Sequence, residues 1–277
     1  MLVPEEVAMH ITEQNMQFFL TEGVACVAAD KKLFEASETV TQTYARFLQE
    51  PADFLKPWIN LEQYKGDPET GLLPRRGERK HDKLKGGYDW KDTFHYRPSI
   101  YRALAKSGGV LGLYESWLKQ QCNPLLNECM SVIKHFAETL DHVLPGFEFQ
   151  TQFLMGWDGR RKICDRHALR INRYLPGNKI ELGKAHIDRC TFTINVAENY
   201  PGLEIYSPTK KKWQPVELLP GKVYILAGEK LSIITKGIIP PCKHRIRNLR
   251  PGNVRWSVVG FGNTPTPIDY REKALRS

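Results

Sequence analysis

No Cys-x-x-Cys pair occurs in this 277-residue sequence, whose six cysteines, Cys26, Cys122, Cys129, Cys164, Cys190 and Cys242, are scattered. A zinc ribbon and a thioredoxin-type dithiol are thereby excluded, and free thiols in a reducing compartment are the expected state. No apolar run approaches the roughly 18 residues of a membrane-crossing helix. The amino end, Met1 to Ala8, carries Glu5 and Glu6 and few basic residues, the reverse of a secretory signal. A cytoplasmic chain with no membrane partner is expected. Internal repeats and low-complexity tracts are also missing. What is present is 41% hydrophobic and 26% charged residues, with 40 Lys plus Arg against 31 Asp plus Glu and a formal charge of +9. That composition excludes disorder, collagen and coiled coil, and supports a soluble globular core. The charge alone leaves nucleic acid, phosphate and carboxylate partners open.

Helical spacing of apolar residues predicts helices over 5–20 and 30–48, separated by a strand over 24–29. Gly23 stops the first helix, Asp30 caps the second and Pro51 ends it. The polar stretch Lys65 to Asp92 reads as an unusually long loop, with the basic run Arg75 to Lys85 inside it. An apolar face from Ile100 to Leu144 predicts helix again, kinked or divided at Pro124. Beyond Phe147 the period changes to two. Nine strand segments follow, at 147–155, 168–175, 184–197, 203–207, 213–218, 222–227, 231–236, 241–247 and 254–262. With no long helix between them, they argue for an antiparallel sandwich, jelly roll or barrel rather than a doubly wound parallel sheet.

The chemistry concentrates in Lys184-Ala185-His186-Ile187-Asp188-Arg189-Cys190. On a strand, residues two apart share a face, which places the His186 imidazole and the Asp188 carboxylate side by side. His244, on a later strand, is the best third ligand. Two histidines and a carboxylate on one face of a metal leave adjacent positions open, as oxygen chemistry at non-haem Fe(II) requires. Arg255 and Ser257 repeat the two-residue spacing and suit a carboxylate, and Asn172 and Tyr174 add neutral donors. Each of these pairs alone is compatible with ordinary sheet patterning. Cys190 and Cys242 would share the ligand face on an uninterrupted strand, although small buried core residues are the simpler reading.

Taken in order, Leu169-Arg170-Ile171-Asn172-Arg173-Tyr174-Leu175-Pro176, His186-Ile187-Asp188, Gly202-Leu203-Glu204-Ile205, Pro220-Gly221-Lys222-Val223, Gly228-Glu229, His244-Arg245 and Arg255-Trp256-Ser257 resemble the isopenicillin N synthase-like Fe(II)/2-oxoglutarate-dependent dioxygenases. The match covers about residues 168–263 and is looser over 1–110. Two departures are Glu229, where that family more often has Asp, and Leu175-Pro176 in place of Pro-Pro. The resemblance implies a mainly β fold, a double-stranded β-helix with helices packed on it. It divides the chain into an N-terminal region (1–110), a supporting helix (111–145), the catalytic β-helix (146–264) and a tail (265–277). It implies Fe(II) bound by His186, Asp188 and His244. The distal carboxylate of 2-oxoglutarate would be held by Arg255 and Ser257, with Tyr174 and Asn172 assisting. Tyr88, Trp90 and Phe94 are substrate-contact candidates.

Hydroxylation, desaturation or ring closure of a small molecule, releasing succinate and CO2, is the implied activity, with O2 as the second cosubstrate. Asp188 argues against a halogenating relative. Two other readings stay open: an iron oxidase without 2-oxoglutarate, whose Arg255 and Ser257 hold the substrate's own carboxylate, and a non-catalytic binding module. No nucleic-acid partner is needed to explain the charge, and a monomer is expected.

Overall fold

The computed structural model describes residues 11–59, 71–73, 91–98, 117–149 and 167–264. Local signals set the first elements. Thr12 Oγ1 accepts from Asn15 N and caps α1 (Glu13–Glu22), and Gly23, at φ 72°, ends it in the left-handed region that glycine tolerates best. After β1 (Val24–Ala28), the Asp30 carboxylate accepts from Lys32 N and caps α2 (Lys31–Phe47). A short α3 (Ala52–Leu55) and a 3-10 turn follow.

Strands β2 (Gly71–Leu73) and β3 (Lys91–Tyr96) come next. The stretch expected as one loop from Lys65 to Asp92 therefore contains a strand and the start of another. Both are short and paired across the sheet, and sheet pairing is not visible in local polarity. A π-helical turn (Trp117–Cys122) leads into α4 (Asn123–Val143), and Pro124 sits in its first turn, where a missing N–H costs nothing.

The remaining strands are β4 (Ala168–Tyr174), β5 (Glu181–His186), β6 (Phe192–Glu198), β7 (Leu203–Ser207), β8 (Lys212–Pro215), β9 (Lys222–Ala227), β10 (His244–Arg247) and β11 (Arg255–Gly262). Three expectations are corrected. Residues 231–236 are not a strand but overlap helix α5 (Glu229–Ile234), because a six-residue apolar run carries too little periodicity to separate the two states. Residues 184–197 are two strands with a turn between them. Residues 147–149 are not extended, and the rest of that predicted strand lies outside the described residues.

The strands form two antiparallel sheets, β1-β9-β6-β11-β4-β3-β2 and β5-β10-β7-β8. Such a pair of sheets is the jelly-roll layout expected from the strand count. Alternation on each strand decides what every face does. On β4, Leu169 and Ile171 join Val258, Ile194, Phe192 and the buried faces of α2 and α4 in the main hydrophobic core. Arg170, Asn172 and Tyr174 point the other way, between the sheets. The helices thus take the apolar face of the large sheet, and its polar face is turned into a cleft. An aromatic group of Tyr44, Phe47, Trp58, Phe94 and Trp117 fixes the helical layer to β3. No helix among the described residues is long and apolar enough to cross a membrane.

Candidate metal centre and carboxylate pocket

His186 ends β5 and His244 begins β10, and the two are register partners in the small sheet, with ring centroids 4.3 Å apart. Asp188 is not on the strand. It lies in the turn after β5, so the two-residue spacing brings it to His186 by a bend rather than by strand alternation. That turn is anchored by main-chain bonds: Glu229 N donates to Asp188 O and Gly228 N to Thr191 O. A Cβ on Gly228 would lie 1.9 Å from Cys190 O, so only glycine permits this approach, although its φ of −84° suits any residue.

The donor atoms of His186, Asp188 and His244 lie within 4.8 Å of one another. His186 Nε2 is 3.5 Å from Asp188 Oδ1, and His244 Nε2 is 3.7 Å from Oδ2. Each imidazole turns Nδ1 to a backbone carbonyl, His186 to Lys184 O at 2.7 Å and His244 to Cys242 O at 3.1 Å. A carbonyl only accepts, so both Nδ1 atoms carry the proton and both Nε2 lone pairs face the centre. Thr193 Oγ1 donates to Asp188 Oδ2 at 2.7 Å.

Burial works against the Asp188 charge, but His244, His186 and the Thr193 hydroxyl overcome it and hold the carboxyl well below its usual range. Burial likewise lowers the pKa of His186, yet its bond to Asp188 leaves the net shift upward; for His244 burial wins and the shift is downward. One anionic oxygen donor and two neutral nitrogens match the donor set of a facial triad, so the residues fit Fe(II). Cys190 and Cys242 are outside this cluster. Both are buried, and burial pushes their thiols up, away from the thiolate form a metal would need.

Deeper in the cleft the inward rows of the large sheet become polar. Thr93 Oγ1 donates to Asn172 Oδ1, and Asn172 Nδ2 donates to Ser257 Oγ, which leaves the Ser257 hydroxyl proton for a ligand. Arg255 pairs in register with Tyr174, lies with its guanidinium 5.1 Å from that ring, and is fully buried. It faces Gly202, where a Cβ would come within 3.1 Å of Arg255 Nε. Glu198 Oε1 lies 2.5 Å from Arg255 Nη2. Burial alone would lower the Arg255 pKa, and Glu198 raises it on balance. Nε and Nη1 of this buried guanidinium have no acceptor, which is the condition expected of a site for a carboxylate from outside.

The cleft is lined by all three metal-ligand candidates and by Asn172, Tyr174 and Ser257, with Arg255 buried behind this lining. Of the substrate-contact candidates, Phe94 is corrected: it is fully buried in the aromatic layer on the opposite face of β3, while its neighbours Thr93 and His95 face inward. Tyr88, Trp90, the basic run 75–85 and the tail after 264 lie outside the described residues.

Residues 166–264 match the model of the 2OG-Fe(II) oxygenase superfamily. The stretch from β4 to β11, which carries the whole candidate cluster, is similar to that superfamily. Fe(II) and 2-oxoglutarate are the groups that the superfamily's description names. Clavatol oxidase of Penicillium crustosum is 35% identical over 104 residues, 36% of this chain and 29% of that protein. Gibberellin 3-beta-dioxygenase 3 of Arabidopsis thaliana is 27% identical over 189 residues, 65% of this chain and 51% of that one. The chain thus matches between about a third and a half of the length of these curated relatives. A putative oxygenase from Shewanella oneidensis shares the fold with a TM-score of 0.69 at 17% identity, covering 95% of this chain and 94% of the other. A full-length Neurospora crassa protein, solved in complex with alpha-KG, gives 0.66 at 17% identity, covering 91% and 78%.

Among the described residues, the structure adds groups at the cleft that sequence spacing did not single out. Thr193 faces inward five residues after Asp188, a spacing that could have flagged it. Lys91 and Arg170 line the cleft from β3 and β4. Asn195 and Glu198 both face inward although they are three apart, because a register shift in the β6–β11 ladder breaks the alternation.

Proposed function

We propose that the protein is an Fe(II)- and 2-oxoglutarate-dependent oxygenase that hydroxylates a small molecule, with desaturation or ring closure open to the same residues. The observation that carries this reading is the convergence of His186 Nε2, His244 Nε2 and the Asp188 carboxylate in a cleft lined by Ser257 and Tyr174, behind which lies a buried arginine with unused donors. In this reading residues 146–264 are the catalytic unit, and residues 1–110 and the helix within 111–145 are its support.

His186, Asp188 and His244 would hold the iron, and Lys184 O, Cys242 O and Thr193 Oγ1 keep their donor atoms aimed at it. Arg255 and the Ser257 hydroxyl would receive the distal carboxylate, Asn172 would orient Ser257, and Tyr174 would wall the guanidinium. When bound, the iron supplies the oxygen chemistry that couples conversion of 2-oxoglutarate to succinate and CO2 with substrate oxidation. The protein's share is to fix the keto acid along the cleft and to present the substrate beside it. Phe261 and Arg170, stacked with the guanidinium carbon 4.8 Å from the ring centroid, line the cleft as candidate substrate contacts.

The test is succinate formation from 2-oxoglutarate by purified protein with Fe(II), across amino acids, peptides and secondary metabolites. Turnover stimulated by a substrate and abolished in His186→Ala supports the reading. Absence of succinate with every substrate, in protein shown to bind the metal, refutes it.

A further inference from the structure

The far end of the cleft already contains a carboxylate. Glu198 lines the cleft, whereas Arg255, fully buried, lies behind it. Its Oε1 sits 2.5 Å from Arg255 Nη2, and Asn195 Nδ2 donates to the same oxygen at 2.7 Å. The charges are matched, but the hydrogen bonds are not. Glu198 meets the guanidinium at Nη2 alone: Nε and Nη1 have no acceptor, and Glu198 Oε2 and Asn195 Oδ1 have no donor. A structural ion pair at this depth would be expected to satisfy its fork, because a buried charge without hydrogen bonds is costly. A pair that must come apart would not.

We propose that Glu198 is an internal counter-ion that 2-oxoglutarate displaces from Arg255, so that this one carboxylate sets the affinity of the distal subsite. The inference rests on the cosubstrate reading above. With the cleft empty, Glu198 neutralises a guanidinium that would otherwise be buried alone. Once the distal carboxylate enters, two anions face one cation in a desolvated place, and the bound carboxylate must yield. Asn195 is the group that retains it, since its amide already holds Oε1. The β6 register shift makes this possible by turning residues 195 and 198 to the same face.

The experiment uses the full chain loaded with Mn(II) and measures binding of two keto acids by calorimetry: 2-oxoglutarate, and 2-oxopentanoate, which has the same chelating end and no distal carboxylate. Glu198→Gln keeps the shape and removes the charge. It is expected to tighten 2-oxoglutarate by about tenfold, the size of one charged contact, and to leave 2-oxopentanoate unchanged. The melting temperature of the variant should also rise more on adding 2-oxoglutarate than that of the wild type. Glu198→Asp, which shortens the reach to Arg255, is a second variant with the same expected direction. Weaker or unaltered 2-oxoglutarate binding in the folded variants overturns the proposal and makes Glu198 an aligner of Arg255. Failure of the metal-loaded wild type to bind either keto acid overturns the cosubstrate reading itself, and this inference with it.

Discussion

Replacing Thr193 with valine removes one oxygen and keeps the volume and branching, so it tests whether the ligand carboxylate must be held from behind. The Thr193 hydroxyl donates to Asp188 Oδ2 at 2.7 Å, and Cys190 Sγ lies 3.1 Å from the same hydroxyl. Since the hydroxyl proton goes to the carboxylate, the thiol is the donor in the second contact. Valine therefore deletes a charge-assisted bond of about 1.5–3 kcal/mol and strands a weak S–H donor. Asp188 keeps its two histidine neighbours and its anchored main chain, so it is expected to remain charged but free to rotate. Loss of such a partner typically costs about 10–100-fold in metal affinity. The assay is calorimetric titration with Mn(II) or Co(II), with a melt of the metal-free protein as control. An unchanged metal affinity in a folded variant refutes the reasoning, as does a loss confined to the stability of the metal-free protein.

Arg255→Ala should raise the 2-oxoglutarate requirement at least about tenfold while metal still binds, as read by titrating each in turn; loss of the metal would count against the division of roles. Gly228→Ala drives a methyl group into the Cys190 carbonyl, and both partners are backbone. A loss of about 2–4 kcal/mol in chemical denaturation is expected together with loss of the metal site, and a neutral result would mean that the Asp188 turn can be held another way. Proton competition gives the pH dependence. His186 has its pKa raised by Asp188, so metal affinity should begin to fall as pH drops towards the ordinary histidine value near 6.5 from above it. In the metal-free protein the same raised pKa works the other way. The His186–Asp188 pair stabilises the fold below the unfolded histidine value, and that contribution is lost as pH rises through the folded one. Melting curves with and without metal should diverge as pH increases, and parallel curves would contradict this.

The candidate cluster was legible because its residue types are rare together and keep their order: His186, Asp188, His244 and Ser257 line one cleft, and Arg255 is buried behind it. The path was not what spacing alone describes. His-x-Asp works here because β5 stops at His186 and a turn pinned to Gly228 and Glu229 returns the carboxylate. Strand assignment failed where length was short, as at α5, and where pairing rather than composition makes the strand, as at β2 and β3. Glu198 was hidden for a further reason. Its inward direction depends on a register shift, and a strict period of two places residue 198 on the opposite face from residue 195. Phe94 was misplaced by one position, which on a strand means the wrong side of the sheet.

The order of the strands has a consequence for how the chain comes to be folded at all. β11, the last strand in sequence among the described residues, lies in the interior of the large sheet between β6 and β4, and β1 hydrogen-bonds to β9 across most of the chain. Little of that sheet can close on a ribosome before its C-terminal strand has emerged, and the loop-closure cost of these distant pairings falls due at once. Residues 24–28 must wait for residues 222–227, with their apolar faces exposed in the meantime. Folding is therefore expected to be slow, late and all-or-none. The metal centre cannot mature as an independent module, because the sheet whose Thr193 holds Asp188 is completed only when β11 is inserted.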